Sequence, residues 1–259
     1  MARKRAKGKA HSAPLMSDKV LLAGLQYAGY VLEAAICALL LWGGRWRRLK
    51  GFCLYVAALF VLDGVARSTV LDFFGQASEQ YRYFYWLSDV VLAIGAFLLT
   101  CAFFRRAFTQ EKKMWAFVRL VLISLFVLVL GISALSLTRN YQHVYTVFII
   151  EFSQNLYFSC LVLNTLLYLM MQQLAIDDDE LAMLVCGMGL QFAGEAAGLA
   201  MLHLTLGENF ALLLFSFFNP VCTLGMLLVW IYGITKSPQT VPVRSTVGKQ
   251  AGLAEAIAD

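Results

Sequence analysis

Apolar residues in this chain gather into long unbroken runs, with neither the two-residue alternation of a half-buried strand nor the narrow stripe of a surface helix. Runs of about 20 residues, enough for a helix to cross a hydrocarbon core, lie at about 20–43, 51–73, 82–105, 114–137, 143–173, 180–205 and 210–234. The polar breaks between them are short: GGRWRRLK follows the first, and FRRAFTQEKK precedes the fourth. Asp177, Asp178 and Asp179 precede the sixth, where they can cap its first amides and oppose the positive end of its dipole. The fifth run is long enough to tilt or protrude. The weak ten-residue alternation of an outer-membrane barrel is missing.

This pattern predicts an all-α, polytopic integral membrane protein. A seven-helix transmembrane bundle is expected at 19–235, a disordered basic N-terminal tail at 1–18 and a disordered cytoplasmic tail at 236–259. Met16 opens MSDKVLLAG and is a second candidate start. Lipid itself is the first expected partner.

Composition agrees with the pattern. The chain is 60% hydrophobic and only 14% charged, with a mean hydropathy of +0.70. Soluble domains hold roughly 45–50% apolar and about 25% charged residues. The net charge of +5 comes from tails and loops, so it carries topology rather than a nucleic-acid footprint. Arg45, Arg47, Arg48 and Lys50 share one side with Arg105, Arg106, Lys112, Lys113, Lys236, Arg244 and Lys249. Basic residues mark the cytoplasmic side. The expected orientation in a bacterial-type plasma membrane is therefore N-terminus outside, C-terminus inside.

The six cysteines (Cys37, Cys53, Cys101, Cys160, Cys186 and Cys222) fall within or at the edges of apolar runs and never at CxxC spacing, which argues against a disulfide framework or a zinc site. HExxH and GxSxG are absent, and only His11, His143 and His203 supply imidazoles, so an intramembrane enzyme ranks last. No lysine lies between Phe210 and Thr235 to form a retinal Schiff base. Neither a cofactor nor a metal is expected.

Candidate chemistry lies in the polar residues inside the runs, because a polar group in the bilayer is expensive and marks function by default. These are Glu33, Asp63, Arg67, Asp89, Glu151, Asn155, Gln191, Glu195, His203 and Asn219. Asp63 and Arg67 share a helical face at i, i+4, and Asp89 from the next run can complete a triad. At 1.5 Å per residue, Glu33 and Asp63 lie roughly 18–20 Å from their entry points and Asp89, Glu151 and Asn219 roughly 10–15 Å deep. The set is thus biased to the middle and the extracytoplasmic half. Arg119 lies near the other end and can snorkel.

Five carboxylates (Glu33, Asp63, Asp89, Glu151, Glu195) face one deep cation, Arg67. The unpaired ones must be protonated, hydrated or bound to a cation, as in proton relays and cation sites; interhelical hydrogen bonding is the structural alternative. Tyr81, Tyr83, Tyr85, Trp86, Tyr141 and Tyr145 crowd the same rim as an interfacial belt, with Tyr85 and Trp86 placed to line a mouth.

Gly194 and Gly198 form a small-xxx-small pattern that permits close helix approach, and with it a homo-oligomer contact. Asn219-Pro220 frees a carbonyl and can kink the seventh helix. One acid or amide per helix in runs one to three and five to seven suggests 3+1+3 parallel pseudo-repeats. The expected function is a small proton-coupled or cation-handling transporter or channel for a small solute or cation, with a carboxylate-rich cavity opening to the extracytoplasmic side. The alternative is a seven-helix receptor signalling to a separate cytoplasmic partner.

Overall fold

A computed structural model describes residues 16–75, 78–109, 112–137, 144–174, 176, 178–204 and 209–236. Seven helices make up these residues: α1 (Met16–Trp42), α2 (Lys50–Phe74), α3 (Glu79–Ala107), α4 (Lys112–Leu137), α5 (Val144–Gln173), α6 (Asp179–Leu204) and α7 (Asn209–Lys236), with a short 3₁₀ turn at Arg45–Arg47. Val20–Trp42, Lys50–Phe74, Glu79–Ala107, Lys113–Leu135 and Phe217–Lys236 are five helices long and apolar enough to cross a membrane. The all-helical, membrane-type architecture expected from the runs is therefore present.

The terminal tails expected at 1–18 and 236–259 lie mostly outside the described residues. At their inner edges the helices reach further than expected. Met16, Ser17 and Asp18 already belong to α1, with no glycine or proline between Met16 and Val20 to delay it, and Lys236 belongs to α7.

Both the interior and the surface are apolar, as expected where the solvent is lipid. Val56, Ala96, Leu156, Leu184, Met188 and Trp230 are buried, while Phe117 and Leu128 of α4 are 66% and 57% exposed. The helices pack in a closed ring in the order α1, α2, α3, α5, α6, α7 and back to α1. The fourth helix stands outside this ring, against α5 and more lightly against α3. The α6–α7 pair is the most extensive contact.

That contact depends on the absence of a side chain at Gly187, where a Cβ would stand 2.6 Å from the Trp230 ring. Trp230 is fully buried, donates from Nε1 to the Leu184 carbonyl at 3.0 Å and meets Phe52 of α2 edge-on at 4.7 Å. Gly187→Val is expected to lower stability by about 1–3 kcal/mol through overpacking. Gly131→Ala, where a Cβ would meet nothing within 4 Å, should not. Thermal unfolding in detergent measures both.

The second run, expected as a plain helix, is not one. Phe60–Ala66 widens into a π-helical stretch between two α segments, Lys50–Leu59 and Arg67–Phe74. Such insertions displace carbonyls from the regular ladder, and hydroxyls one turn on cover them. Ser68 Oγ donates to the Gly64 and Val65 carbonyls at 2.7 and 2.9 Å, and Thr69 Oγ1 to Val65 at 2.6 Å. Asp63 lies inside the widened stretch and Arg67 begins the α segment after it. The helix closes on Gly75, whose φ of 77° suits a residue without Cβ.

Candidate functional site

Arg67 is the centre of the polar interior. Its Nη1 donates to Asp63 Oδ1 one turn back, and its Nε donates to Ser88 Oγ of α3 at 2.8 Å. Asp89 Oδ1 lies 3.8 Å from Nη2, so the triad anticipated from spacing is present. The guanidinium also sits over the Tyr85 ring, 4.3 Å from its centroid, and Trp86 meets Tyr85 edge-on at 5.5 Å. Those two aromatics of the belt thus flank the ion network. Tyr141 lies outside the described residues, as does the side chain of Tyr145.

The second face of Asp89 turns to α5, where it confronts the hydroxyls of Ser153 and Tyr157. Ser153 Oγ is nevertheless buried and satisfies no hydrogen-bond geometry among the described residues. Beyond Asp89 stands Glu195 of α6. It accepts from Gln191 Nε2 at 3.2 Å, and Asn219 of α7 turns its amide to the same carboxyl. The other ends of both amides, Gln191 Oε1 and Asn219 Oδ1, are buried with no hydrogen-bond partner among the described residues. Glu33 of α1 is 1% exposed, its Oε2 also lacks a partner among the described residues, and an acid that faces it is Asp63. Tyr55 of α2 lies within electrostatic reach of Glu33, Asp89 and Glu195 together.

Asp63, Arg67, Asp89, Gln191, Glu195 and Asn219 therefore come together across α2, α3, α6 and α7, with Glu33 adjoining. Glu151 and Asn155 do not join them. They stand about 200° around α5 from Ser153 and from Tyr157, at 100° per residue, and Asn155 Nδ2 instead meets Ser133 Oγ of α4 at 3.4 Å. The side chain of His203 lies outside the described residues, as do the surroundings of Gly198. Gly194 is packed inside the chain, where a Cβ would stand 2.7 Å from Cys222 Cβ. Among the described residues no group of three or more His, Cys, Asp or Glu could hold a metal ion.

Two parts of the arrangement were missed in the sequence. Ser153, Tyr157, Cys160 and Asn164 recur at i, i+4, i+7 and i+11, a polar stripe facing α3 and α6 that was legible as a period. The other part lies at the far end of the bundle. There Arg106 at the end of α3 donates to both Asp178 oxygens at 2.8 Å and to Glu180 at 2.7 Å. Arg48, before α2, pairs with the same Glu180, which is 3% exposed. Asp178 does cap α6, as anticipated, by accepting from the Leu181 N–H at 3.0 Å, but it also belongs to this cross-link. Glu195 is 15 residues along α6 from Glu180, so two charged layers stand about 22 Å apart. Apolar side chains such as Leu99, Leu184, Met188 and Trp230 fill the space between.

No family model, curated protein or solved structure matches this chain.

Proposed function

We propose that this chain is a small seven-span, proton-coupled or cation-handling transporter, non-enzymatic, with α5 and α6 also crossing the membrane, its N-terminus outside and its C-terminus cytoplasmic. The observation that carries this reading is the acid network around Arg67. One guanidinium serves Asp63 and Asp89, and Glu195 lies beyond it with buried, unpartnered oxygens beside it. An unmet buried acceptor costs about 1–3 kcal/mol, so open oxygens beside a carboxylate favour a network that takes up a proton or a cation over one closed by structural hydrogen bonds. Carboxylates in this state exchange protons or cations.

The helix ring supports the 3+1+3 arrangement, because α1–α2–α3 and α5–α6–α7 occupy consecutive arcs of the ring with α4 outside both. The charged layer at Arg106 would close the cytoplasmic end while the Arg67 layer faces the outside.

The test uses the full chain in proteoliposomes loaded with a pH-reporting dye. Small amines, amino acids, sugars and Na⁺ are added in turn under an imposed K⁺/valinomycin potential. At least one should produce a lumenal pH change well above empty liposomes, and Glu195→Gln or Asp63→Asn should reduce that change at least tenfold. Unaltered coupling in both variants overturns the relay.

The receptor reading draws on Pro220 inside α7 and the π stretch in α2, which are natural points of flexure. It requires a cytoplasmic partner recoverable by pull-down with the solubilised chain.

A further inference from the structure

Donors and acceptors around Glu195 do not balance, and the imbalance has a sign. Gln191 commits its Nε2 to the carboxyl and Asn219 turns its amide to it, while Gln191 Oε1 and Asn219 Oδ1 are buried and unpartnered among the described residues. Rotating either amide by 180° would not help, because an ionised carboxylate only accepts. The carboxyl and the two amide oxygens are thus acceptors on neighbouring side chains of α6 and α7, the two oxygens left without a donor among the described residues. Arg67, the cation that faces Glu195 among the described residues, is already engaged by Asp63, Ser88 and Asp89. What completes such a set is a positive charge bearing several N–H donors and no acceptor, which describes a primary ammonium group.

The wall beside it is aromatic. Phe192 follows Gln191 on α6 and stands 6.3 Å from the Tyr157 ring, a surface that favours an organic cation over a strongly hydrated alkali ion. We propose that the α6–α7 site formed by Gln191, Glu195 and Asn219 binds the ammonium group of an organic primary amine. This rests on the transport reading and names its substrate class.

The same carboxyl cannot hold a proton and an ammonium ion together, so binding competes with protonation and strengthens as pH rises. The other titratable and charged groups facing Glu195 among the described residues are Tyr55, Arg67 and Asp63 of α2, Tyr85 and Asp89 of α3, Tyr157 of α5 and Cys222 of α7.

The experiment measures thermal stability of the purified full chain in detergent at constant ionic strength, with butylammonium, tetramethylammonium or sodium chloride. Butylammonium should raise the melting temperature by a few degrees, more at pH 8 than at pH 6. Tetramethylammonium, with equal charge and no N–H, should not, and neither should sodium. Glu195→Gln should abolish the shift. Gln191→Leu, which leaves the acid in place, should weaken it at least fivefold in midpoint concentration. An equal shift with tetramethylammonium or sodium, no shift with butylammonium, or a full shift in Glu195→Gln overturns the proposal. No bilayer is present, so amine binding without flux in proteoliposomes removes the transport reading alone, and flux without amine binding removes this one alone.

Discussion

Arg67→Leu is expected to destabilise the protein by about 2–3 kcal/mol and to be partly rescued by Asp63→Asn in the same chain. Breaking a buried ion pair by deleting one partner costs about 3–5 kcal/mol, because the remaining charge is left uncompensated. Here the upper end is not reached, since the Asp63 side chain is 34% exposed. The loss has a defined source: both Asp63 and Asp89 surrender their cation, and Ser88 Oγ loses a donor. Neutralising Asp63 removes one of the two stranded charges, so the double variant should recover about 1–2 kcal/mol relative to additivity, as expected for groups sharing one network. Chemical unfolding in mixed micelles supplies the four stabilities of the cycle. Strict additivity would mean that the two side chains do not sense each other.

At the opposite end, Glu180→Gln should have a comparable effect by a different route. The glutamine keeps the shape, but Arg48 then loses its carboxylate and Arg106 keeps only Asp178, and Arg106 already carries one nitrogen, Nη1, that is buried and unpartnered among the described residues. The expected cost is about 2–3 kcal/mol, lower than for a fully buried network because Arg48 is about half exposed. Its distribution should be local. Amide exchange should accelerate at least tenfold in residues 43–49 and the first turns of α6, leaving the amides around Ser88 unchanged. Lys50→Gln, at an exposed neighbouring position, should alter neither.

Much of this molecule was legible in its sequence because a bilayer imposes a simple rule. A helix that crosses it must be long and apolar, so the runs locate the helices to within a few residues. Asp63 and Arg67 were also legible, since i, i+4 spacing fixes a shared face wherever a helix forms. Asp89 came with them because a short turn between α2 and α3 returns it to the same depth.

What sequence did not convey was azimuth, the direction each residue faces around its helix. Glu151 is an acid in an apolar run like Asp89, yet it shares a face of α5 with Asn155, whose amide meets Ser133 of α4. Tyr157, which looked like one more aromatic, faces Asp89. In a segment apolar on every side, no hydrophobic stripe declares which way is inward. The Arg48–Glu180–Arg106 cross-link was hidden for another reason. Its members are separated by 132 and 74 residues, and each had a sufficient local explanation as a topology charge or a helix cap.

The π stretch at Phe60–Ala66 has a rotational consequence. It holds one residue more than an α-helix would need to span the same rise, so its hydrogen-bond register can pass along the helix without any change in length elsewhere. Each single-residue step turns the residue it passes by about 100° and leaves the flanking segments in place. Asp63 lies inside the stretch and Arg67 immediately after it. Arg67, the first residue past the stretch, is thus the next one that such a step would turn, and its turning would carry the guanidinium relative to Asp89 while the rest of α2 keeps its face.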